Sequence, residues 1–543
     1  WSYVSCSHDK CNLKLFILHR RFILMHIKLG ANGWESIRGA RLAYLIMAVL
    51  IIGLLITALN IWQLSALQAQ HYSLEHSAPD GQSGQDNSPT YVVYAKHPDS
   101  GYLKHVYNVL ERAGYRRGNY NISSDWDIMW AHDYPFKKIR DKMLKMKKGQ
   151  RINKFPGSGY ITNKVNLATS GLKNVPPAFS IPKEKDKLLQ YAKEFPDKLF
   201  VQKSNNHRGI QIQGLSMLDL ESEGSFVQEY IDKPMLVDGH KFDIGIYTTL
   251  TSVDPVRIYV HHSDALLRFC PEKYHPFDAS NKDKYVVHDD YLPSWKIPSF
   301  SKYMTSMGFS FTDTLNAYVR SIGKDPDQMW KDMYDTITEV YLKHEDLFIK
   351  AISHYPHKEA FFEMVRFDFV LDEDLNVYLM EANMSPNLSS AHFPANRLLY
   401  EQVVHSLLRL VGVVQGSIRH DVLQPVEADA KDMLVATKDI LVYPEICSSN
   451  KCSGSNSCDY TECDLCLPCL TKQDKINFKQ AWLEQVNKHA TRRIFPQPPT
   501  KQSQNSTKMQ FIKGPNDIIL TASNSRMARW FQGKCNLDIN WCN

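Results

Sequence analysis

Low-complexity sequence is missing from this chain, and so is a strong excess of either charge. Hydrophobic content of 43% and charged content of 22% are those of an ordinary globular protein. A net charge of +6 spread over 543 residues does not by itself point to nucleic acid, and no nucleic-acid partner is expected. That length excludes one small core and suggests two or three domains. Cysteine is nearly missing before residue 447, where only Cys6, Cys11 and Cys270 occur. Eight others (Cys447, Cys452, Cys458, Cys463, Cys466, Cys469, Cys535 and Cys542) crowd the last hundred residues. An even, clustered set reads as disulfides in an oxidising compartment or as zinc ligands in the cytosol. No histidine at zinc-finger spacing follows Cys463-x-x-Cys466-x-x-Cys469, so zinc would need cysteine ligands alone and ranks second.

Charge is also missing from Leu42 to Leu59, LAYLIMAVLIIGLLITAL, which Asn60-Ile61-Trp62 extend to about the length that spans a bilayer. No small-x-small cleavage site follows convincingly, so a signal anchor is expected rather than a cleaved signal peptide. Basic residues precede the run, Arg38 and Arg41 closest, and none follows until Lys96. The positive-inside rule then predicts a single-pass membrane protein anchored in the lipid bilayer through residues 42–62, with a cytosolic N-terminus. The tripeptides Asn121-Ile-Ser and Asn505-Ser-Thr are glycosylation acceptors, and with the clustered cysteines they place residues 63–543 on the lumenal or extracellular side.

After a basic segment at 1–41, the span at 42–62 and a polar linker at 63–90, the folded part begins near Tyr91. Tyr91–Tyr94 and Trp126–Trp130 predict strands, and Tyr102–Ala113 predicts a helix ended by Gly114, which together make a small α/β unit. A basic stretch follows, Lys137, Lys138, Arg140, Lys142, Lys145, Lys147, Lys148, Arg151 and Lys154. It reads equally as a solvated face or as a receiver for an acidic polypeptide tail. Further strands are expected at Lys198–Lys203, Ile210–Gln213, Phe226–Ile231, Lys241–Ile244, Ile258–Val260 and Ala265–Phe269. Helices are expected at Gln328–Ile352, Asn396–Val411 and 471–493, before an irregular end. Lys241 and Asp243 share one face of an otherwise apolar strand, and buried charges there need a partner such as a phosphate with its metal.

The densest signal is FFEMVRFDFVLDEDLNVYLMEANMSP, Phe361 to Pro386. Two short apolar segments around Asp372-Glu373-Asp374 predict a β-hairpin. A solvated acidic turn explains those three residues but not Glu381 and Asn383 within an apolar strand. With Asp368 they offer the few carboxylate and amide oxygens that Mg²⁺ takes when nucleotide phosphates and water complete its shell.

In the order SDWDIMW, INKFPGSGYITNK, FVQKSNNHRGI, FVQEYI, DGHKFDIGIYTTLTSVDPVRIYV, LLRF and FDFVLDEDLNVYLMEANMSPNL, the chain resembles the tubulin–tyrosine ligase-like family over about residues 91–412. The resemblance implies an α/β (α+β), ATP-grasp-like ligase domain, with residues 413–543 as a Cys-rich tail. It implies ATP and Mg²⁺ as cofactors, glutamate as the added amino acid, and tubulin or another acidic protein as acceptor. It assigns Lys164 and Lys203 to the nucleotide phosphates and Gln228, Tyr230 and Ile231 to the adenine side. Lys241 and Asp243 fall near ribose and phosphates, Arg268 beside the transferred phosphate as the catalytic arginine, and Asp368, Glu381 and Asn383 on Mg²⁺. The chain departs from the family's pattern in three places. Gly245 stands where an arginine is usual, Arg366 where a glycine is usual, and Ser204 where a proline is usual. Arg366 is not read as a simple replacement for the missing charge, because strand alternation alone leaves its direction open.

Two functions follow. One is an ATP- and Mg²⁺-dependent ligase adding an amino acid, glutamate first among the candidates, to a side-chain carboxylate of tubulin. The other is a catalytically impaired, membrane-tethered binding module, suggested by the charge absent at Gly245.

Overall fold

A computed structural model of the chain describes residues 47–63, 88–119, 125–204, 211–414, 434–454, 456–498 and 512–542. It divides into two units, Trp1–Asp86 and Asn87–Asn543. In the first, residues 47–63 form a helix. Among the described residues no helix is long and apolar enough to cross a membrane. This overturns the anchor expected over 42–62, and with it the lipid partner, the cytosolic N-terminus and the lumenal or extracellular placement. Residues 42–46, Asn121 and Asn505 lie outside the described residues.

The second unit is mixed α/β, built on three sheets. The first holds β1 (Thr90–Tyr94), β2 (Arg116–Arg117), β3 (Ile128–Ala131) and β4 (Arg151–Ile152), parallel in the order β2-β1-β3-β4. Helix α1 (Lys104–Arg112) buries Val106, Val109 and Leu110 at helical spacing. Gly114 supplies the positive φ of 84° that turns the chain beyond it. The exposed basic stretch runs from Lys137 to Lys148, whereas Arg151 and Lys154 are buried and leave that face. The Lys154 ammonium lies 3.7 Å from the buried Glu363 carboxylate. Helix α2 (Lys164–Ala168) is capped by Asn163, whose side chain accepts from the Asn166 N–H.

The second sheet is antiparallel, with β5 (Ala178–Ile181), β6 (Phe200–Ser204), β7 (Gln211–Gln213) and β8 (Ser225–Glu229) in the order β5-β8-β6-β7. The third is the largest and holds β9 (Leu236–Val237), β10 (His240–Val253), β11 (Val256–His261), β12 (Leu266–Phe269), β13 (Leu292–Pro293), β14 (Glu363–Leu371), β15 (Val377–Asn383) and β16 (Thr491–Phe495). Its spine is the fourteen-residue β10. Along one edge of β10 lie β12 and then β11, and along the other lies β14, itself paired with β15. Every residue of β14 is buried, so its charged members need partners within the protein.

The helix expected over Gln328–Ile352 is two, α3 (Pro326–Lys343) and α4 (Glu345–Ile352), divided at His344. Asp325 caps α3 ahead of Pro326. Helix α5 (Arg397–Leu410) follows the β14–β15 hairpin. Beyond residue 434 the end is more regular than expected, with α6 (Lys472–Asn487), β16 and α7 (Ala522–Leu537). Phe478 stacks on the buried Trp530 at 5.1 Å to nucleate a second core. All eight clustered cysteines pair as disulfides: Cys447–Cys466, Cys452–Cys463, Cys458–Cys469 and Cys535–Cys542. The tail also joins the large sheet, because β16 pairs antiparallel with β11.

Candidate functional site

The β14–β15 hairpin forms where the apolar segments predicted it. Asp372 tightens its turn by accepting the backbone N–H groups of Asp374 at 2.9 Å and Asn376 at 2.8 Å, a structural use of that acidic residue. Register shifts between Asp368 and Phe369, so Phe369 faces Leu379 while Asp368 faces Glu381. This bulge sets Glu381, not Met380, across from Asp368. Asn383 closes the group. Its Nδ2 donates at 3.0 Å to Asp368 Oδ2 and at 3.0 Å to Glu381 Oε1.

Cations surround these oxygens. The Lys164 ammonium, from the start of α2, lies 2.9 Å from Glu381 Oε2. Arg268 on β12 makes a two-point contact with Asp243 on β10, Nε to Oδ1 at 2.9 Å and Nη2 to Oδ2 at 2.7 Å, as their register pairing dictates. The same Nη2 reaches Asp368 Oδ2 at 3.1 Å. Arg366 grips Asp368 from two residues away, Nε to Oδ1 at 2.6 Å and Nη2 to Oδ2 at 2.8 Å. Its direction, open in the sequence, is thereby toward the site.

From the second sheet, Lys203 Nζ donates to Gln228 Oε1 at 3.0 Å, and Gln228 Nε2 donates to the Pro176 carbonyl at 3.3 Å. Beyond the end of β8 come Tyr230 and the buried Ile231. Lys241 Nζ donates to the Tyr230 hydroxyl at 3.4 Å and lies 4.7 Å from the centre of its ring. That hydroxyl donates in turn to Tyr274, a buried partner that no sequence signal singled out. The structure thus gathers Lys164, Lys203, Gln228, Tyr230, Lys241, Asp243, Arg268, Asp368, Glu381 and Asn383 along the seam between two sheets, and Ile231 follows Tyr230 as a buried residue.

Burial pushes both Lys203 and Lys241 down to about 8. It also raises Asp243, against the pull of Arg268. Burial alone would raise Glu381, but Lys164 and the Asn383 amide outweigh it and hold the carboxyl well below the usual range. Five cationic side chains against three carboxylates leave positive charge for an anion of more than one charge.

Among the described residues no group of three or more His, Cys, Asp and Glu side chains is placed to hold a metal by itself. Two carboxylates and an amide are a smaller, all-oxygen set. That set fits Mg²⁺ sharing its shell with phosphates and water, because Asn383 shows that Asp368 and Glu381 oxygens converge on one point. The Asn383 amide would turn its oxygen to a cation there.

Residues 142–420 match the Tubulin-tyrosine ligase family. A probable tubulin polyglutamylase of Caenorhabditis elegans, ttll-15, is 39% identical over 468 residues, covering 84% of this chain and 88% of that protein. The tubulin polyglutamylase TTLL6 of Mus musculus is 28% identical over 310 residues, 52% of this chain and 36% of that protein. The tubulin monoglutamylase TTLL4 of Homo sapiens is 29% identical over 361 residues, 62% of this chain and 28% of that protein. This chain therefore spans about a third of the two mammalian relatives. The matched segment carries the whole of the seam, and the chain belongs to the tubulin-tyrosine ligase family.

Proposed function

We propose that this protein is an ATP-dependent ligase that joins glutamate to a side-chain carboxylate of tubulin. The observation that carries the reading is the convergence of Asp368, Glu381 and Asn383 with Lys164, Lys203, Lys241, Arg268 and Arg366 on one seam. The acceptor comes from the names of the relatives, tubulin polyglutamylases and a monoglutamylase.

Gln228, Tyr230 and Ile231 offer amide, aromatic and apolar surface to an adenine, while Lys203 and Lys241 meet the phosphates. Asp368, Glu381 and Asn383 would hold Mg²⁺, which when bound neutralises phosphate charge and orients the terminal phosphate. The acceptor carboxylate oxygen attacks that phosphorus and ADP leaves. The amino nitrogen of glutamate then attacks the acyl carbon, inorganic phosphate leaves, and the amine gives up a proton. Arg268 stands beside Asp368 to hold the transferred charge through both steps. The exposed basic stretch from Lys137 to Lys148 suits an acidic acceptor tail.

The impaired-module reading rested on the charge absent at Gly245. The Arg366 guanidinium stands over that position and brings a positive charge to it, which supports the ligase reading. Incubating the full chain with ATP, Mg²⁺, labelled glutamate and microtubules tests the ligase. Label on tubulin that requires ATP is the expected result. A chain that binds nucleotide but labels neither tubulin nor any added acidic polypeptide overturns the reading.

A further inference from the structure

Gly245 lies in the middle of β10 between two buried isoleucines, where glycine is a poor strand former, and nothing about its backbone calls for one. The space beside it explains the choice. A Cβ at 245 would come within 3.0 Å of Arg366 Cδ, 3.2 Å of Asp368 Oδ1 and 3.4 Å of Arg366 Nε. Gly245 and Asp368 are register partners across β10 and β14, and Arg366 sits two residues before Asp368 on the same face. The arginine side chain therefore folds back over the glycine to reach the carboxylate with both Nε and Nη2. Tyr247, the register partner of Arg366, forms the floor beside it and is fully buried.

We propose that Arg366 is a positioning residue of the site, laid in the groove that Gly245 leaves in β10, and that arginine and glycine are interchangeable between positions 245 and 366. An arginine on β10 with glycine at 366 would reach the same carboxylate from the neighbouring strand, since the two Cα positions lie diagonally across one ladder. Either arrangement gives Asp368 a second guanidinium beside Arg268. Arg366 spans both Asp368 oxygens and Arg268 takes a second bond to Oδ2. Between them they fix the plane in which Asp368 presents itself to a cation bound with nucleotide. This assignment rests on the ligase reading for the identity of that ligand.

Four variants of the full chain test it: Arg366→Gly, Gly245→Ala, Gly245→Arg, and Gly245→Arg with Arg366→Gly. Each is measured for binding of a non-hydrolysable ATP analogue over graded Mg²⁺, and for thermal unfolding. Arg366→Gly is expected to raise the Mg²⁺ concentration needed for half-maximal binding by about tenfold. Gly245→Ala shifts it in the same direction by pressing on the Arg366 stem, and Gly245→Arg alone loses binding by crowding two guanidinium groups at one carboxylate. The double variant is expected to return to within about threefold of the unaltered chain. A double variant no better than the worse single variant overturns the exchange. Recovery of the melting temperature without recovery of the Mg²⁺ dependence overturns the positioning role and leaves a structural pair. An unaltered chain that binds no nucleotide at any Mg²⁺ concentration overturns the ligase reading itself, and the assignment falls with it.

Discussion

At the scale of single residues, one amide nitrogen reports on the site. Asn383 Nδ2 bridges Asp368 and Glu381 at 3.0 Å each, which two carboxylates tolerate only around a donor or a cation. Glu381→Gln is therefore expected to weaken Mg²⁺-dependent nucleotide binding by about tenfold or more, read by titration calorimetry. Glu381→Gln keeps an oxygen acceptor for Asn383 but gives up the charge that Lys164 stabilises, so the melting temperature should fall modestly at neutral pH. Unchanged nucleotide affinity in this variant would sink the metal assignment. Lys203 is the opposite case, since burial has lowered it from 10.5 to about 8. The folded chain then holds fewer protons than the unfolded one between those pH values, and its stability rises with pH through that window. Lys203→Met should be more stable than the unaltered chain at pH 7, lose that advantage as pH approaches 10.5, and bind nucleotide about tenfold more weakly. Melting curves at pH 7 and pH 10 check the sign. The carboxylates were legible in the sequence because ionisable residues inside an apolar strand lack a bland explanation. Arg366 was not, because its direction depends on register and on a bulge that no local pattern announces.

At the scale of elements, polar pairs explain where periodicity failed. Helix α7 carries so many polar residues that it read as irregular, yet Asn524 Nδ2 donates to Glu345 Oε2 at 2.8 Å and Arg529 pairs with Asp464. Those partners lie far away in sequence and cannot be seen from within the segment. The β14–β15 hairpin and α5 needed only local signals, alternation and helical spacing, and formed within a few residues of expectation. The strongest of the tail's polar pairs joins α6 to β11. Arg257 and Glu484 are both fully buried, with Nε to Oε2 at 2.8 Å and Nη2 to Oε1 at 3.0 Å. Thr251 and Tyr259 hydroxyls each donate to the same carboxylate at 3.0 Å. Removing the acid leaves a buried guanidinium with nothing to neutralise it, so Glu484→Ala should cost about 3–5 kcal/mol in chemical denaturation. Glu484→Gln, which keeps the oxygen acceptor, should cost less.

At the scale of the whole molecule, the question is where the cooperative unit ends. The family match stops at residue 420 and the hairpin, α5 and the seam all precede it, so the matched segment holds every residue proposed above for the chemistry. The packing argues for a longer unit. β16 covers the edge of β11, Glu484 neutralises Arg257 from α6, and Asn524 Oδ1 accepts the Val256 N–H at 2.7 Å from α7. Cutting the chain after residue 414 would bare the hydrogen-bonding edge of β11 that β16 covers and remove the carboxylate shared by Arg257, Thr251 and Tyr259. Residues 88–414 are therefore expected to aggregate on expression, whereas residues 88–543 give a monodisperse protein with one melting transition. Light scattering and calorimetry on the two fragments decide it. A fragment of residues 88–414 that melts cooperatively and binds nucleotide as tightly as the longer one would show that the tail merely rests on β11 and that the unit ends with the family match.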